Sequence, residues 1–230
     1  MTNKYPKFKS QWHERIGHCV IVISFFIGIW TLVISNYANA ASVDGIQSTY
    51  SSIRDMTANF TQSTYVEVLD STIKEPGVFM MKRPGKLFIE YTGEHPKRYI
   101  SNGKKLWIID KELEQVETYK VGGETIPKEA LEFLNGFSEM KELFTVAERK
   151  VNTPKKGNTY LKLTPKGKSP QYKWLDCEFG PDNILKTMTI HNKSGNISTY
   201  VFDNTRLDSG LGDSLFIFDA GSRKQEAGKR

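Results

Sequence analysis

The spacing of apolar residues changes along the chain, and each change predicts a different kind of element. The first helical pattern, with apolar side chains three or four positions apart, predicts a short amphipathic helix through Val43, Ile46, Tyr50, Ile53 and Met56. From Phe60 the period falls to two, and Asn102-Gly103 separates two such segments, which is a strong hairpin signal. A helical pattern returns over about 126–144, and alternation then continues to Phe202, with a last strand predicted at 215–218.

These segments add up to about eleven short strands, one opening helix and one helical insertion. Short turn-rich connections favour antiparallel hairpins, so the predicted fold class is mainly β (α+β). A single sheet of this width must curl, split or close. We therefore expect a large curved sheet or an open barrel, with the insertion at about 126–144 as a cover for its concave face.

The first forty residues have the order of a secretory leader. Basic residues lead into the apolar run 19–35, and Ala38-Asn39-Ala40 follows as a small-x-small cleavage site. We expect a signal peptide at 1–40 and one domain at 41–230. The alternative is an uncleaved anchor helix, because the apolar run is longer than the usual ~7–15 residues of a signal peptide but shorter than a ~20-residue membrane span.

Composition narrows the function classes. The leader holds four of the 32 basic and one of the 26 acidic residues, so the remainder carries a net charge of +3, which gives no case for nucleic-acid binding. Beyond residue 40 the chain has one cysteine, Cys177, and two separated histidines, His95 and His191, so no metal site is predicted. Cys177 alternates with apolar neighbours, and we expect it to be a small core residue.

Enzyme motifs are weak. Gly167-Lys168-Ser169 resembles the end of a phosphate-binding loop but lacks the earlier glycine, and neither a Gly-x-Ser-x-Gly nor a His-Glu-x-x-His motif is present. A hydrolase would need His95 or His191 to meet a carboxylate in a cleft.

An ordered string of motifs resembles the periplasmic outer-membrane lipoprotein carrier (LolA) family. The segments that carry the resemblance follow one another from 60 to 116: Phe60-Thr61-Gln62, Gly77-Val78-Phe79, Arg83-Pro84-Gly85-Lys86-Leu87, Glu90-Tyr91, Ile100-Ser101-Asn102-Gly103-Lys104, Leu106-Trp107-Ile108-Ile109-Asp110 and Leu113-Glu114-Gln115-Val116. The resemblance implies an unclosed antiparallel β-barrel with an apolar interior and a helical lid. It also implies that Arg83 hydrogen-bonds to the lid and keeps the empty cavity shut.

The alternation of the strands gives candidate residues for the cavity wall. We expect the wall to contain one face of each of three strands: Leu87, Ile89, Tyr91, Trp107, Ile109, Leu175 and Phe179. The orientation of strand 105–110 stays open, because it is apolar on both faces. The lid would present the apolar residues of the insertion: Ala130, Leu131, Leu134, Phe137, Met140 and Phe144.

The resemblance implies a monomeric periplasmic carrier that uses no cofactor or metal and is not an enzyme. Its partners would be acylated lipoproteins, an inner-membrane ABC-type lipoprotein exporter and a LolB-like outer-membrane receptor. Two alternatives remain: a periplasmic lipid-binding or sensor module on the same open barrel, and an extracytoplasmic hydrolase.

Overall fold

The computed structural model describes residues 42–121, 137–167 and 172–218. The predicted signal peptide and the predicted lid residues Ala130, Leu131 and Leu134 lie outside these ranges. No helix in the described part of the chain is long and apolar enough to cross a membrane.

The described residues form two helices, three short 3-10 turns and eleven strands. The helices are α1 (Val43–Ser52) and α2 (Met140–Leu143), and the 3-10 turns are Glu67–Leu69, Phe137–Glu139 and Asp213–Phe216. The strands are β1 (Asp55–Val66), β2 (Ser71–Lys82), β3 (Lys86–Tyr91), β4 (Lys97–Asn102), β5 (Lys105–Asp110), β6 (Gln115–Lys120), β7 (Phe144–Glu148), β8 (Thr159–Pro165), β9 (Tyr172–Phe179), β10 (Leu185–Asn192) and β11 (Ile197–Leu207).

All eleven strands belong to one antiparallel sheet, in the order β6-β5-β4-β3-β2-β1-β11-β10-β9-β8-β7. The order runs from β6 to β7 without pairing them, so the sheet is not closed within the described residues. This confirms the predicted mainly β fold with an unclosed antiparallel sheet of eleven strands. Since β1 pairs with both β2 and β11, the first and last strands join the two halves of the sheet at its centre.

The main core lies on one face of this sheet, which we call the inner face. Alternate residues of the strands turn toward it, such as Leu161 and Leu163 on β8 and Leu175 and Cys177 on β9. Cys177 is 2% exposed in this core. Ser42 caps the start of α1, because its hydroxyl accepts a hydrogen bond from the Gly45 N–H at 3.0 Å, and the helix buries its apolar stripe on the same face.

Two predicted element boundaries are wrong. Met56 continues the apolar spacing of the helix, but α1 ends at Ser52 and Met56 pairs with Met81 in the sheet. Phe144, predicted as a lid residue, is the first residue of β7, where it pairs with Pro165. In both places an apolar residue fits a helical and a strand pattern equally well, and sheet pairing decides between them.

The predicted last strand at 215–218 is also wrong. Asp213–Phe216 is a 3-10 turn that contacts β3 and β4. Phe216 is fully buried and Phe218 is half-buried, while Leu215 and Ile217 remain exposed, so the apolar run anchors a turn and does not form a strand. The segment lies against the outer face of the sheet, because Phe218 meets the Trp107 ring there at 6.2 Å between centroids.

A pair of lysines fixes this C-terminal segment to the outer face. Asp213 accepts from Lys82 Nζ at 2.6 Å and from Lys86 Nζ at 2.8 Å. Lys82 also donates to the Leu211 carbonyl at 2.6 Å. The two lysine hydrogen bonds lower the pKa of Asp213 to about 2.

Arg83, at the turn between β2 and β3, holds the end of α1. Its guanidinium donates from Nε to the Ile53 carbonyl at 3.1 Å and from an Nη to the Tyr50 carbonyl at 2.7 Å. Helix α1 has no basic residue in its own last turn. Arg83 therefore supplies the positive charge and the donors that the carbonyl end of a helix requires.

Asp213→Asn should lower stability at neutral pH and flatten its dependence on acid. Because folding lowers this pKa from an ordinary value of about 3.9, the contribution of the carboxylate is complete above about pH 4 and is lost as the pH falls toward 2. Urea unfolding midpoints at pH 7, 4 and 2.5 measure this. Asp203→Asn is the control, since Asp203 makes no ion pair in the described chain; equal losses in both variants would contradict the prediction.

Arg83→Leu should loosen α1 while leaving the sheet intact. Hydrogen bonds from a charged donor contribute about 1.5–3 kcal/mol, so local opening of α1 should become roughly 10- to 100-fold more frequent. Hydrogen exchange of the α1 amides measures it. Arg54→Leu is the matched control, because Arg54 is also beside α1 but its side chain is 81% exposed. Unchanged α1 protection in Arg83→Leu protein would show that these hydrogen bonds do not hold the helix.

Candidate functional site

A cavity of about 440 Å³ opens on the inner face of the sheet. It lies toward the end remote from the Arg83 turn, where β1 ends, β2 begins and the β3–β4 turn is found. Nine of its lining residues are apolar or aromatic: Phe60, Ile73, Phe79, Ile89, Tyr91, Tyr99, Ile190, Tyr200 and Phe202. Six are polar or charged: Gln62, Glu75, His95, Lys97, Asn192 and Ser198.

The register of β1 against β11 builds the centre of the cavity. Phe60 pairs with Phe202, and Gln62 pairs with Tyr200. Gly77 on β2 makes room for the Phe60 ring, because a Cβ at this position would lie 2.3 Å from Phe60 Cζ. The Phe60 ring then meets Tyr91 edge-on, with 5.2 Å between ring centroids.

Polar side chains form a strip along one wall of this cavity. The Tyr91 hydroxyl donates to Gln62 Oε1 at 2.7 Å, and Gln62 Nε2 donates to Thr64 Oγ1 at 2.7 Å. Thr64 Oγ1 is in turn 3.0 Å from Ser198 Oγ. Burial raises the pKa of Tyr91 well above its usual range, so its phenol is neutral and can donate. We call Tyr91, Gln62, Thr64 and Ser198 the polar strip.

Three charged residues line the cavity, and two of them, His95 and Lys97, form ion pairs. His95 Nδ1 lies 3.0 Å from Glu112 Oε2, and this hydrogen bond and the Glu112 charge raise the pKa of His95. Lys97 Nζ lies 3.4 Å from Asp110 Oδ2. The rim therefore carries two compensated basic residues and the carboxylate of Glu75 around an opening that leads to aromatic walls.

The opposite end of the inner face is filled. Phe79 and Phe202 separate the cavity from a space of only about 20 Å³ beneath α1. The Phe137 ring closes that space, with its centroid 5.1 Å from those of both Tyr50 and Phe179.

The described end of the insertion is attached to α1. Gln47 donates from Nε2 to the Ser138 carbonyl at 3.1 Å and accepts from the Lys141 N–H at 3.3 Å. Lys141 also forms an ion pair with Asp44. Met140 is fully buried, and Phe137 is half-buried.

The five predicted wall residues on β3 and β9 divide into two groups. Ile89 and Tyr91 line the cavity. Leu87, Leu175 and Phe179 lie on the inner face but are buried in the core rather than at the cavity surface. Two predicted lid residues are described, Phe137 and Met140, besides Phe144 on β7. Phe137 packs against Tyr50 of α1, and Met140 is fully buried.

Trp107 and Ile109 were assigned to the wrong face. Pairing of Ser101 with Leu106 and of Tyr99 with Ile108 turns Leu106 and Ile108 inward. Trp107 lies outside with Phe218. The outer face of β5 is apolar because the C-terminal segment covers it, so its sequence resembles that of an inner face.

The predicted wall omitted most of the aromatic lining. Phe79 and Tyr99 come from β2 and β4, Tyr200 and Phe202 come from β11, and the β1–β11 register brings the two sets together. The alternation Ser198-x-Tyr200-x-Phe202 was a usable signal, because it places a polar residue and two aromatic rings on one face of a single strand.

Both histidines in the described part of the chain, His95 and His191, meet a carboxylate, as a hydrolase would require, but neither meets a nucleophile there. His191 Nε2 lies 2.9 Å from Asp176 Oδ2 and stacks on Trp174 on the outer face. The His95–Glu112 pair is exposed at the rim. Among the residues described here, no hydroxyl or thiol is hydrogen-bonded to either histidine, and no three His, Cys, Asp or Glu side chains are grouped to hold a metal.

Known proteins with similar sequences share one description. An outer-membrane lipoprotein carrier protein from Cupriavidus necator is 27% identical over 202 residues, covering 86% of this chain and 93% of its own length. One from Francisella tularensis subsp. novicida is 28% identical over 202 residues, covering 86% and 92%. A solved LolA superfamily structure from Nitrosomonas europaea has a TM-score of 0.44 and 13% identity, covering 78% of this chain and 99% of its own.

The family comparison covers most of the domain. The model described as Outer membrane lipoprotein carrier protein LolA matches residues 51–219, which include all eleven strands and the cavity. The chain therefore belongs to the LolA family of outer membrane lipoprotein carrier proteins.

Proposed function

We propose that this protein is a periplasmic carrier that binds the acyl chains of lipoproteins in the aromatic-lined cavity. The observation that carries the proposal is the cavity itself: a hollow of about 440 Å³, with aromatic and aliphatic side chains forming nine of its fifteen lining residues, in an otherwise well-filled sheet. Its volume falls in the range of about 300–1,000 Å³ that is usual for ligand sites. Family membership supports lipoproteins as the cargo.

The cargo requires such a hollow because hydrocarbon is costly to expose. Each methylene withdrawn from water is worth about 0.8 kcal/mol, so an acyl chain of ~15 methylenes costs on the order of 12 kcal/mol to expose fully. A soluble carrier must cover most of that chain during transfer. Ile89, Phe60 and Phe202 offer it apolar contact inside a charged and soluble shell.

The insertion at about 126–144 is proposed to act as the lid. Its described end is anchored on α1 through Gln47 and places Phe137 against Tyr50 and Phe179. A cargo chain that extends past Phe79 and Phe202 would compete with Phe137 for that apolar surface. This competition keeps the affinity moderate, and Arg83 opposes opening from the other side by holding the end of α1.

Transfer then follows a gradient of affinity and needs no covalent chemistry. An inner-membrane ABC-type exporter would load the carrier, and a LolB-like receptor at the outer membrane would take the cargo. The carrier would work as a monomer. The leader at 1–40 would direct its export to the periplasm. Loading and release are shifts between closed and open populations.

Ser198→Phe should block acyl binding, because the added ring enters the cavity. We expect the affinity for a fluorescent palmitoylated peptide to fall at least tenfold, or about 1.4 kcal/mol. Thr199→Phe is the matched control: Thr199 is the next residue of β11, on the outer face. Each variant loses one hydroxyl–hydroxyl hydrogen bond, Ser198 to Thr64 and Thr199 to Thr189. Equal affinity of the two variants for the peptide would show that the acyl chain does not bind in the cavity.

Phe137→Ala should hold cargo more tightly and release it more slowly. The substitution removes part of an apolar side chain whose full burial is worth about 1.5–3 kcal/mol, so slowing by roughly tenfold is expected. Release of the palmitoylated peptide to acceptor vesicles measures it, with the exposed neighbour Leu143→Ala as control. Faster release from Phe137→Ala protein would contradict competition between lid and cargo.

A further inference from the structure

We propose that the polar strip is a subsite for the neutral carbonyl group that joins an acyl chain to the rest of its carrier molecule. Gln62 is the donor to that carbonyl. This inference rests on the proposed acyl binding and adds a direction and a chemical class to it: the cavity selects esters and amides of long-chain acids, with the hydrocarbon end innermost.

The side-chain amide of Gln62 has one N–H donor that is not used by the hydrogen bonds of the polar strip. A glutamine amide has two N–H donors and an oxygen with two lone pairs. Thr64 accepts from Nε2, and Tyr91 donates to Oε1. The second N–H has no partner among the residues that the structure describes. The two existing hydrogen bonds fix the amide, so the remaining donor is oriented in advance of binding.

The strip lies between the phenyl rings at the inner end of the cavity and its rim. Along β1 and β11 the inward pairs are Phe60 with Phe202, then Gln62 with Tyr200, then Thr64 with Ser198 toward the rim. Phe202 also borders the small space beneath α1, so the Phe60–Phe202 pair is the inner end. A ligand with its hydrocarbon at the phenyl rings would place the first polar atoms beside Gln62 and Ser198.

The contacts favour a neutral carbonyl over the two alternatives. Hydrocarbon laid across Gln62 would cover its free N–H without replacing the water lost from it. A carboxylate would need an uncompensated cation, but the two basic side chains that line the cavity, Lys97 and His95, are paired with Asp110 and Glu112. Glu75, which also lines the cavity, adds negative charge.

Two lipids that differ only at the carbonyl test this directly. 1-Palmitoylglycerol and 1-O-hexadecylglycerol have the same chain and head, and the second has a methylene in place of the ester carbonyl. We expect the wild-type protein to bind the ester about tenfold more tightly. Gln62→Leu should lose this preference by weakening the ester, whereas Thr61→Leu, an exposed neighbour on the same strand, should keep it.

The outcomes separate this inference from the function on which it rests. If neither lipid binds the wild-type protein, acyl binding itself fails. If both bind equally, acyl binding stands and the carbonyl subsite is wrong, whether or not Gln62→Leu protein folds. If Gln62→Leu folds and keeps the ester preference, Gln62 is not the donor. If palmitate binds more tightly than the ester and Lys97→Met removes that advantage, the site recognises carboxylates and the proposal is overturned.

Discussion

The pairing of β1 with both β2 and β11 is the constraint on which the rest of the molecule depends. It joins the N-terminal and C-terminal strands into one sheet, and it sets which residues of the two halves face each other. A shift of one residue in the β1–β11 register would turn Phe60 and Gln62 to the outside. Cavity, polar strip and α1 contacts would all be lost together, so the site is a property of this register rather than of any local motif.

The inner face of the sheet is densely packed at one end and holds a cavity at the other. Near the Arg83 turn, α1 and Phe137 fill the sheet and leave about 20 Å³, whereas the other end keeps about 440 Å³. An empty hollow forgoes the contacts that a filled core would have. The aromatic rings of the wall pack against one another, as Phe60 does with Tyr91 and Phe79 with Phe202, and these contacts hold the side chains in place around the cavity. Binding of an apolar chain would recover the missing contacts.

The sequence predicted the strands well because alternation and turn residues are local signals. It predicted the inner face of β3 correctly, since Glu90 marks the outer face of that strand with a charge. It could not orient β5, because the C-terminal segment covers the outer face and both sides of the strand are apolar. The apolar residues at 215–218 were also wrongly assigned to a strand, because this segment packs through a 3-10 turn in which only Phe216 is fully buried. The aromatic lining and the α1 carbonyls bound by Arg83 depend on pairings between distant residues, which no single segment encodes.

Most ion pairs lie on the outer side of the sheet, and the charged residues that line the cavity, Glu75, His95 and Lys97, stand at its rim. Asp213 with Lys82 and Lys86, and Glu90 with Arg98 and Lys111, lie on the outer side of the sheet. Burial tends to raise the pKa of Glu90, but hydrogen bonds from Lys111 and Arg98 outweigh it and lower the pKa. The polar strip, deeper than this rim, is made of neutral groups: a phenol, an amide and two hydroxyls. Neutral groups lose far less than charges when hydrocarbon displaces water from them, so the proposed loading and emptying of the cavity would cost little desolvation at the polar strip.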